Sequence, residues 1–460
     1  MKVAFVASEM VPYAKTGGLA DVIGTLPFSL AQLGVQVDVW IPHYSSVRSN
    51  DLSAEGARGV TVHFIHQDSY FHREGLYGNA HGDYPDNLER FSYFSRQVLV
   101  EIKKAGVCPD ILHLHDWQTA LVPVYHRTEF QRDPFFAQTK TLLTIHNLAY
   151  QGVFPINQYS LLGLPKDLLR MDGLEFYDKI NFLKGGLLFA QALTTVSPTY
   201  AAEIQTAEHG SGLEGVIQQR SQDLVGILNG LDENVWNPAT DESIAQQYDQ
   251  HHLEEKLKNK LALQKQMKLV SHPRIPVLRM VSRFDSQKGF DLLLEMIPLL
   301  AKLNVQLVIL GSGQKDIQES LEKAARFCRC LRVQSAFDQS LARRIYAGAD
   351  LFLMPSRYEP CGLGQLIAMR YGTIPIVRAT GGLVDTVSDY DPVLARGNGF
   401  CFTPYDADAF LGAIQRALDL YGRPKEWAAL QRRGMKTDFS WEQSARHYHK
   451  LYSQLVNKKN

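Results

Sequence analysis

The sequence predicts an α/β protein of two domains, each built on a doubly wound parallel sheet. The chain has 460 residues, which is more than one hydrophobic core usually serves. Short apolar runs alternate with segments of helical periodicity in both halves, as the strands and crossover helices of parallel sheets do. We predict a first Rossmann-like domain at 1–240, a second at 241–439, and a C-terminal tail at 440–460 that packs on the first domain.

The apolar runs give the predicted strands of each half. In the first half they are 3–7, 37–41, 111–115, 141–145 and 192–196. In the second half they are 277–281, 305–310, 351–354 and 374–377. The helical pattern after the first run contains Pro27, where we expect a kink or a restart. The polar segment 241–268 has no glycine and predicts a helix.

Composition narrows the classes of function. Lys plus Arg and Asp plus Glu balance at 48 each, so no overall field draws the protein to nucleic acid or to an anionic membrane. The chain opens as a strand, without a signal peptide or an apolar run long enough to span a bilayer, and we expect a cytoplasmic protein. The five cysteines are scattered, which favours free thiols and no disulfide. Cys328 and Cys330 do not have the spacing of a zinc pair.

A glycine-rich turn follows the first predicted strand. Gly17 and Gly18 lie where a helix begins, and backbone N–H groups at a helix N-terminus favour an anion. Lys15 adds a positive charge, so the turn is suited to a phosphate-bearing ligand. The alternative is an ordinary tight turn with a surface lysine. The pattern is neither a Walker A loop nor a dinucleotide fingerprint.

Polar residues also follow two strands of the second half. Arg283 and Lys288 suit a diphosphate, because arginine binds it bidentately and lysine acts as a point charge. The alternative is that these cations pair with Asp285 or Asp291. Glu359 opens a glycine-containing turn and has the chemistry to accept hydrogen bonds from sugar hydroxyls. A second turn, Thr380-Gly381-Gly382, repeats the pattern of the first, and its backbone is a candidate for holding phosphate or a carbohydrate oxygen.

Histidines mark two strand ends of the first half. His113 and His115 point to the same side of one strand, so a metal pair has to be considered. No third ligand lies near them in the sequence, and a core role for His113 is the preferred interpretation. His115-Asp116-Trp117 and the segment that begins at His146 bring polar and aromatic groups to strand ends, as sugar binding requires.

Six motifs, in the order in which they occur along the chain, resemble those of a known protein family. They are KTGGLADV at 15–22, HDW at 115–117, TIHNLAYQG at 144–152, NGLD at 229–232, SRFDSQKG at 282–289 and SRYEPCGL at 356–363. The chain resembles the bacterial glycogen synthase and plant starch synthase family over nearly its whole length. The resemblance implies the GT-B fold, with two Rossmann-like domains facing a deep cleft. It also implies transfer of glucose from ADP-glucose to the non-reducing end of an α-1,4-glucan, with retention of configuration and without a metal or other cofactor.

The resemblance implies roles for individual residues. The implied catalytic residues are His146, Glu359, Arg283 and Lys288. Lys15, Arg283 and Lys288 are expected to hold the diphosphate, helped by the backbone at Gly18 and Gly382. His146 and Asn229 are expected to contact the transferring glucose, and Glu359 to bind its hydroxyls.

The remaining expected contacts complete the substrate-binding set. Asp21, Asp116 and Trp117 are expected to shape the glucose and acceptor region. Phe337 stands where the family often has a tyrosine that stacks on adenine, so stacking survives without the hydroxyl. The other implied binding positions are Gly17, Cys361, Gly362, Leu363, Thr380 and Gly381. The position of the second glutamate of the wider retaining GT-B enzymes holds Ile367, with Gln365 nearby.

Two alternatives remain at this stage. One is the same fold acting on UDP-glucose or on another acceptor. The other is a glucan-binding homologue without turnover. The expected partners are ADP-glucose and glycogen, with no nucleic acid and no membrane.

Overall fold

The computed structural model describes residues 1–47, 59–79, 82–336 and 338–458, and the chain divides into two units. The first comprises Met1–Gly230 together with Trp441–Asn460, and the second comprises Leu231–Ser440. The predicted boundary at residue 240 therefore falls inside the second unit. The reason is that Leu231 N donates to Phe439 O at 2.7 Å, which ties the start of the second unit to its end.

The strands of the described residues run in chain order as follows: β1 (Lys2–Val6), β2 (Gln36–Pro42), β3 (Val60–Ile65), β4 (Gly78–Asn79), β5 (Gly82–Asp83), β6 (Ile111–His115), β7 (Lys140–Ile145), β8 (Val153–Pro155), β9 (Lys179–Asn181), β10 (Ala192–Thr195), β11 (Leu224–Gly226), β12 (Val277–Val281), β13 (Gln306–Gly311), β14 (Leu331–Ser335), β15 (Leu351–Met354), β16 (Ile374–Arg378) and β17 (Phe400–Phe402).

The α-helices are α1 (Gly18–Ile23), α2 (Leu26–Gln32), α3 (Asp68–Phe71), α4 (Asn87–Ala105), α5 (Val122–Thr128), α6 (Phe182–Phe189), α7 (Pro198–Glu203), α8 (Glu214–Gln219), α9 (Lys256–Gln266), α10 (Phe290–Leu300), α11 (Lys315–Phe327), α12 (Gln339–Gly348), α13 (Gly364–Arg370), α14 (Gly382–Thr386), α15 (Ala407–Tyr421), α16 (Pro424–Lys436) and α17 (Trp441–Asn457). None of these helices is both long enough and apolar enough to cross a membrane.

Each unit contains one large parallel sheet. In the described part of the chain, the first sheet has seven strands in the order β3-β2-β1-β6-β7-β10-β11, and the second has six in the order β14-β13-β12-β15-β16-β17. All neighbouring strands of both sheets pair in parallel. The strand order reverses between β1 and β6 and between β12 and β15. Ligands of open α/β sheets bind at such reversals, outside the carboxyl ends of the strands.

The predicted fold class is confirmed, and each predicted strand is present within one residue of its predicted limits. The edge strands β3, β11, β14 and β17 were not predicted. Edge strands are partly exposed: β11 is buried at none of its three residues, and β14 only at Leu331. Polar residues interrupt β3 and β14, so these two lack the continuous apolar run that marks a central strand, whereas β11 and β17 have only three residues each.

The predicted helix at 241–268 is wrong in its first half, because α9 begins only at Lys256. Asp249 Oδ1 accepts hydrogen bonds from the backbone N–H groups of His251 at 2.8 Å and His252 at 2.9 Å. Such local bonds compete with the helix for the backbone donors. The expected restart at Pro27 is confirmed, since α1 ends at Ile23 and α2 holds Pro27 in its first turn.

The C-terminal helix α17 is part of the first unit. Its Trp441, Tyr448 and Tyr452 are buried in one hydrophobic cluster with Phe5 of β1 and Leu30 of α2. Ser444 Oγ donates to Leu228 O at 2.5 Å, so the helix is also anchored by a hydrogen bond.

The prediction that the cysteines form no disulfide is wrong for one pair. Cys328 and Cys330 are joined by a disulfide where the chain passes from α11 to β14, with their Cα atoms 5.4 Å apart. The turn between these elements brings two side chains of the Cys-x-Cys segment together, which the spacing alone does not reveal. Cys108, Cys361 and Cys401 are not part of a disulfide.

A buried ion pair gives the first prediction. Lys260 Nζ of α9 lies 2.7 Å from Asp350 Oδ2, with side chains 4% and 10% exposed. The variant Asp350→Ala leaves the lysine buried without its counter-charge, so we expect a loss of about 3–5 kcal/mol in the free energy of unfolding. Denaturant titration measures this loss.

The control is the exposed pair of Glu442 and Arg446, whose side chains are 61% and 68% exposed. For Glu442→Ala we expect a change below about 1 kcal/mol. Equal losses in Asp350→Ala and Glu442→Ala would contradict the conclusion that the buried pair contributes more to stability than the exposed pair.

Candidate active site

The glycine turn of the first unit is built on a buried carboxylate. Glu9 follows β1 and is 4% exposed. Its Oε2 accepts from Thr16 N at 2.6 Å and Gly17 N at 3.1 Å, while its Oε1 accepts from Thr16 Oγ1 at 2.5 Å and Tyr77 Oη at 2.7 Å. The amide of Gly17 is therefore bonded within the protein. The sequence analysis missed Glu9, although a charged residue that closely follows a buried strand is a usable signal.

Lys15 and Asp21 lie on either side of this turn and contact each other. Lys15 Nζ is 2.6 Å from Asp21 Oδ1, with side chains 39% and 34% exposed. An ion pair this exposed contributes little to stability. A phosphate can therefore replace the carboxylate as the partner of Lys15 at low cost. Gly17 caps α1, and Gly18 is its first residue.

Two histidines of the first unit form a hydrogen-bonded pair. His115 ends β6, and its Nδ1 lies 3.0 Å from Nε2 of His146, which follows β7. Burial lowers the pKa of His115 well below its usual value, and lowers the pKa of His146 to about 3. Both rings are therefore neutral at physiological pH.

His113 has the core role that the sequence predicted. Its Nε2 lies 2.6 Å from Thr144 Oγ1 and its Nδ1 lies 2.7 Å from Tyr452 Oη, so both ring nitrogens have partners. A histidine bonded in this way does not ligate a metal. Within the described ranges, no group of three or more His, Cys, Asp or Glu side chains is placed to hold a metal ion.

Asp116 holds the segment that contains His146. Its Oδ1 accepts from His146 N at 2.7 Å, and its own backbone has a φ of 59°. A non-glycine residue in this conformation persists only where the surroundings fix it, which is common at functional sites. Burial, the largest influence, raises the pKa of Asp116 to about 7, with the charge of Glu9 acting in the same direction.

Trp117 and Asn229 complete the predicted residues of the first unit. The Trp117 ring packs edge-on to Phe91 at 5.0 Å and to Phe154 at 5.8 Å. A Cβ at Gly152 would lie 2.3 Å from Trp117 Cε3, so only glycine fits there. Asn229 is 8% exposed, and its Oδ1 has no hydrogen-bond partner among the described residues. A buried acceptor without a partner is unusual in a folded protein and suits a ligand hydroxyl.

The second unit joins two loops through one ion pair. Lys288 Nζ lies 2.7 Å from Glu359 Oε2 and 3.0 Å from Oε1, and Ser356 Oγ donates to the same Oε2 at 3.0 Å. Glu359 is 5% exposed. Gly289, with a φ of +76°, follows Lys288, and a Cβ there would lie 1.9 Å from Pro355 O. The two loops thus approach as closely as a glycine allows.

Arg283 remains exposed and forms no ion pair with the residues that the structure describes. The alternative pairing with Asp285 or Asp291 does not occur. Asp285 caps the next turn by accepting from Gln287 N at 2.9 Å, and Asp291 pairs with Arg357. Arg283 is therefore available to a ligand.

The second glycine turn uses the amide of Gly382 within the protein. Gly382 N donates to Glu359 O at 3.0 Å and to Pro360 O at 3.2 Å, so this amide is bonded within the protein instead of facing a diphosphate. A Cβ at Gly382 would lie 2.3 Å from Cys361 O. The glycine is needed because the turn Thr380-Gly381-Gly382 packs directly on the loop after β15.

The side chain of Gln365 in α13 fixes the loop after β15 through hydrogen bonds. The Gln365 Nε2 donates to Cys361 O at 3.1 Å, to Gly362 O at 2.9 Å and to Thr386 Oγ1 at 3.1 Å. Leu363 precedes α13, and Gly362 has a φ of +74°. Gln365, which is not among the predicted binding residues, therefore holds the predicted binding positions Cys361 and Gly362 in place. Phe337, the predicted adenine-stacking residue, lies outside the described residues.

The raised pKa of Asp116 gives a pH prediction. Its folded pKa of about 7 lies above the unfolded value of about 3.9, so the folded state binds the proton more tightly. The stability contributed by this group is complete below pH 4 and is lost as pH rises to 7.

The variant Asp116→Asn keeps an acceptor and removes the titration. We expect the difference in free energy of unfolding between Asp116→Asn and wild type to move in favour of the variant between pH 4 and pH 7. Denaturant titrations at several pH values measure it. A difference that is independent of pH would contradict the assignment.

Comparisons with known proteins cover the whole chain. The family "Starch synthase catalytic domain" matches residues 2–219, and "Glycosyl transferases group 1" matches residues 264–433. The glycogen synthase of Syntrophotalea carbinolica is 48% identical over 99% of both chains. That of Thermosipho melanesiensis is 44% identical over the full length of both.

Solved structures of glycosyltransferases also match the chain over nearly its whole length. The catalytic domain of starch synthase IV from Arabidopsis thaliana, bound to ADP and acarbose, superimposes with a TM-score of 0.91 at 36% identity, covering 99% of each chain. Sucrose-phosphate synthase from Thermosynechococcus elongatus, at 20% identity and a TM-score of 0.64, shares the fold and covers 99% of this chain and 98% of its own. This chain is a GT-B glycosyltransferase that belongs to the family of bacterial glycogen synthases and plant starch synthases.

Proposed function

We propose that this protein transfers glucose from ADP-glucose to the non-reducing end of an α-1,4-glucan, with retention of configuration. The observation that carries the proposal is the pair of Lys288 and Glu359, beside the exposed Arg283, at the strand reversal of the second sheet. The relatives named glycogen synthase and the starch synthase IV structure with ADP and acarbose support the same substrates.

Lys288 and Arg283 are the cations that would stabilise the negative charge of the diphosphate leaving group. When the bond from glucose to the diphosphate breaks, negative charge develops on the diphosphate oxygens. Fixed positive groups stabilise that charge more than they stabilise the substrate, which lowers the barrier. Lys288 has three N–H donors, and the Glu359 oxygens engage at most two of them, so a donor remains for the diphosphate.

Glu359 is fixed before the sugar arrives. Its carboxylate is held by Lys288 and Ser356, which leaves acceptor capacity for the sugar hydroxyls. In the first unit, His146 and the unpartnered Oδ1 of Asn229 are the candidates for polar contacts to a sugar. We favour attack by the acceptor hydroxyl on the face that the diphosphate leaves, which needs no enzyme nucleophile and retains the configuration.

The donor is tested by incorporation of radiolabelled glucose into glycogen. We expect incorporation from ADP-glucose to exceed that from UDP-glucose by at least about tenfold. This ratio corresponds to a difference of about 1.4 kcal/mol in transition-state binding. Release of ADP with and without glycogen is the control for hydrolysis. Higher incorporation from UDP-glucose would favour the alternative donor, and absence of incorporation from both would favour a glucan-binding protein without turnover.

The site is tested by Lys288→Ala and Glu359→Gln. Each variant removes a group that acts in the transition state, so we expect kcat to fall by about a hundredfold, or about 3 kcal/mol, while the protein stays folded. The measurement is the rate of ADP release with saturating glycogen.

The matched control is Arg423→Ala. It removes another cation of the second unit, one whose side chain is 58% exposed and pairs with Glu426 at the surface. We expect its kcat to equal that of the wild type. Unchanged turnover in both site variants would refute the proposed site.

A further inference from the structure

His115 is a buried side chain that the proposed mechanism does not yet use. Its Nδ1 lies 3.0 Å from His146 Nε2, whereas its Nε2 is buried with no hydrogen-bond partner among the described residues. The ring is fixed from both sides. Phe5 stacks on it with 5.4 Å between ring centroids, and His113 lies at 4.2 Å.

The contact between the two histidines carries a single proton. Both rings are neutral, because burial lowers the pKa of each. One nitrogen of the contact must therefore donate and the other must accept. If His115 Nδ1 donates, the proton of His146 is on Nδ1. If His146 Nε2 donates, the proton of His115 is on Nε2.

The surroundings of His115 distinguish these arrangements. In the second, the N–H group at His115 Nε2 is buried without an acceptor, and orphaned buried N–H groups are rare and costly. In the first, Nε2 carries only a lone pair. An acceptor without a partner is the more common exception in folded proteins. The first arrangement is therefore the stable one.

We propose that His115 is a positioning residue that holds His146 in the Nδ1–H tautomer, so that His146 donates a hydrogen bond to an oxygen of the transferring glucose. The proposal rests on the proposed function for the identity of the sugar. His146 is partly exposed, and its Nδ1 has no partner among the described residues, which leaves this donor for a ligand. Asp116 fixes the backbone of the same residue, so position and tautomer have separate causes.

The tautomer is measured directly by NMR of the wild-type protein labelled with ¹⁵N-histidine. The His146 signals are assigned by their loss in His146→Gln. We expect the protonated nitrogen of His146 to be Nδ1 and that of His115 also to be Nδ1. Protonation of His146 at Nε2 would overturn the proposal, whatever the activity of the protein.

The kinetic test compares two substitutions at His115. In His115→Asn the amide nitrogen takes the place of Nδ1 and still donates, whereas His115→Leu removes the donor. We expect kcat to fall by about tenfold in His115→Leu, the size of one lost hydrogen bond in the transition state, and to be largely restored in His115→Asn. Equal kcat values in the two variants would overturn the proposal.

Tyr452→Phe is the control for general loss of packing. It removes the hydrogen bond between Tyr452 Oη and His113 Nδ1, next to His115, and leaves the contact between His115 and His146 in place. We expect its kcat to match that of the wild type, and a fall equal to that of His115→Leu would overturn the proposal. A wild-type protein without transferase activity would count against the proposed function, and the tautomer measured in the same sample would still decide this inference.

Discussion

The reversal of strand order at the centre of each sheet is the constraint on which the candidate residues of each unit depend. At a reversal, two adjacent parallel strands send their loops to opposite sides, which leaves a crevice outside their carboxyl ends. In the first unit, Glu9 follows β1 and His115 ends β6; in the second, the loops that hold Lys288 and Glu359 follow β12 and β15. The backbone ladder therefore decides where polar groups gather, before any side chain makes a contact.

One buried carboxylate in each unit then fixes the geometry of the candidate residues of that unit. A buried carboxylate is stable only when hydrogen bonds or an opposite charge compensate it. Glu9 is compensated by Thr16, Gly17 and Tyr77, and Glu359 by Lys288 and Ser356. Thr16 and Gly17 belong to the glycine turn of the first unit, and Lys288 and Ser356 belong to the two loops of the second unit that the motifs mark as functional. The same bonds that stabilise the carboxylates thus preorganise these segments for a ligand, which is the main source of electrostatic catalysis.

The sequence predicted the central strands because burial on both faces of a parallel sheet requires continuous apolar runs. It failed where local hydrogen bonds compete with periodicity. Ahead of Lys256, hydrogen bonds from backbone N–H groups to the Asp249 side chain stabilise turns in place of the predicted helix. After α11, the turn of the chain brings Cys328 and Cys330 together in a disulfide that their spacing in the sequence did not indicate. The motifs located the candidate residues, whereas the use of the Gly382 amide inside the protein followed from the packing of its turn on Cys361.

The sequence alone determined the fold class, the central strands and the segments at which polar groups leave them, because these follow from periodicity and local residue type. Alternation along β6 already placed His113 and His115 on one side of the strand. Only the tertiary structure decided their different roles. His113 bonds to Tyr452, 339 residues away, and His115 bonds to His146 of another segment. Hydrogen-bond partners so distant in the chain are brought together by packing, so no local pattern records them.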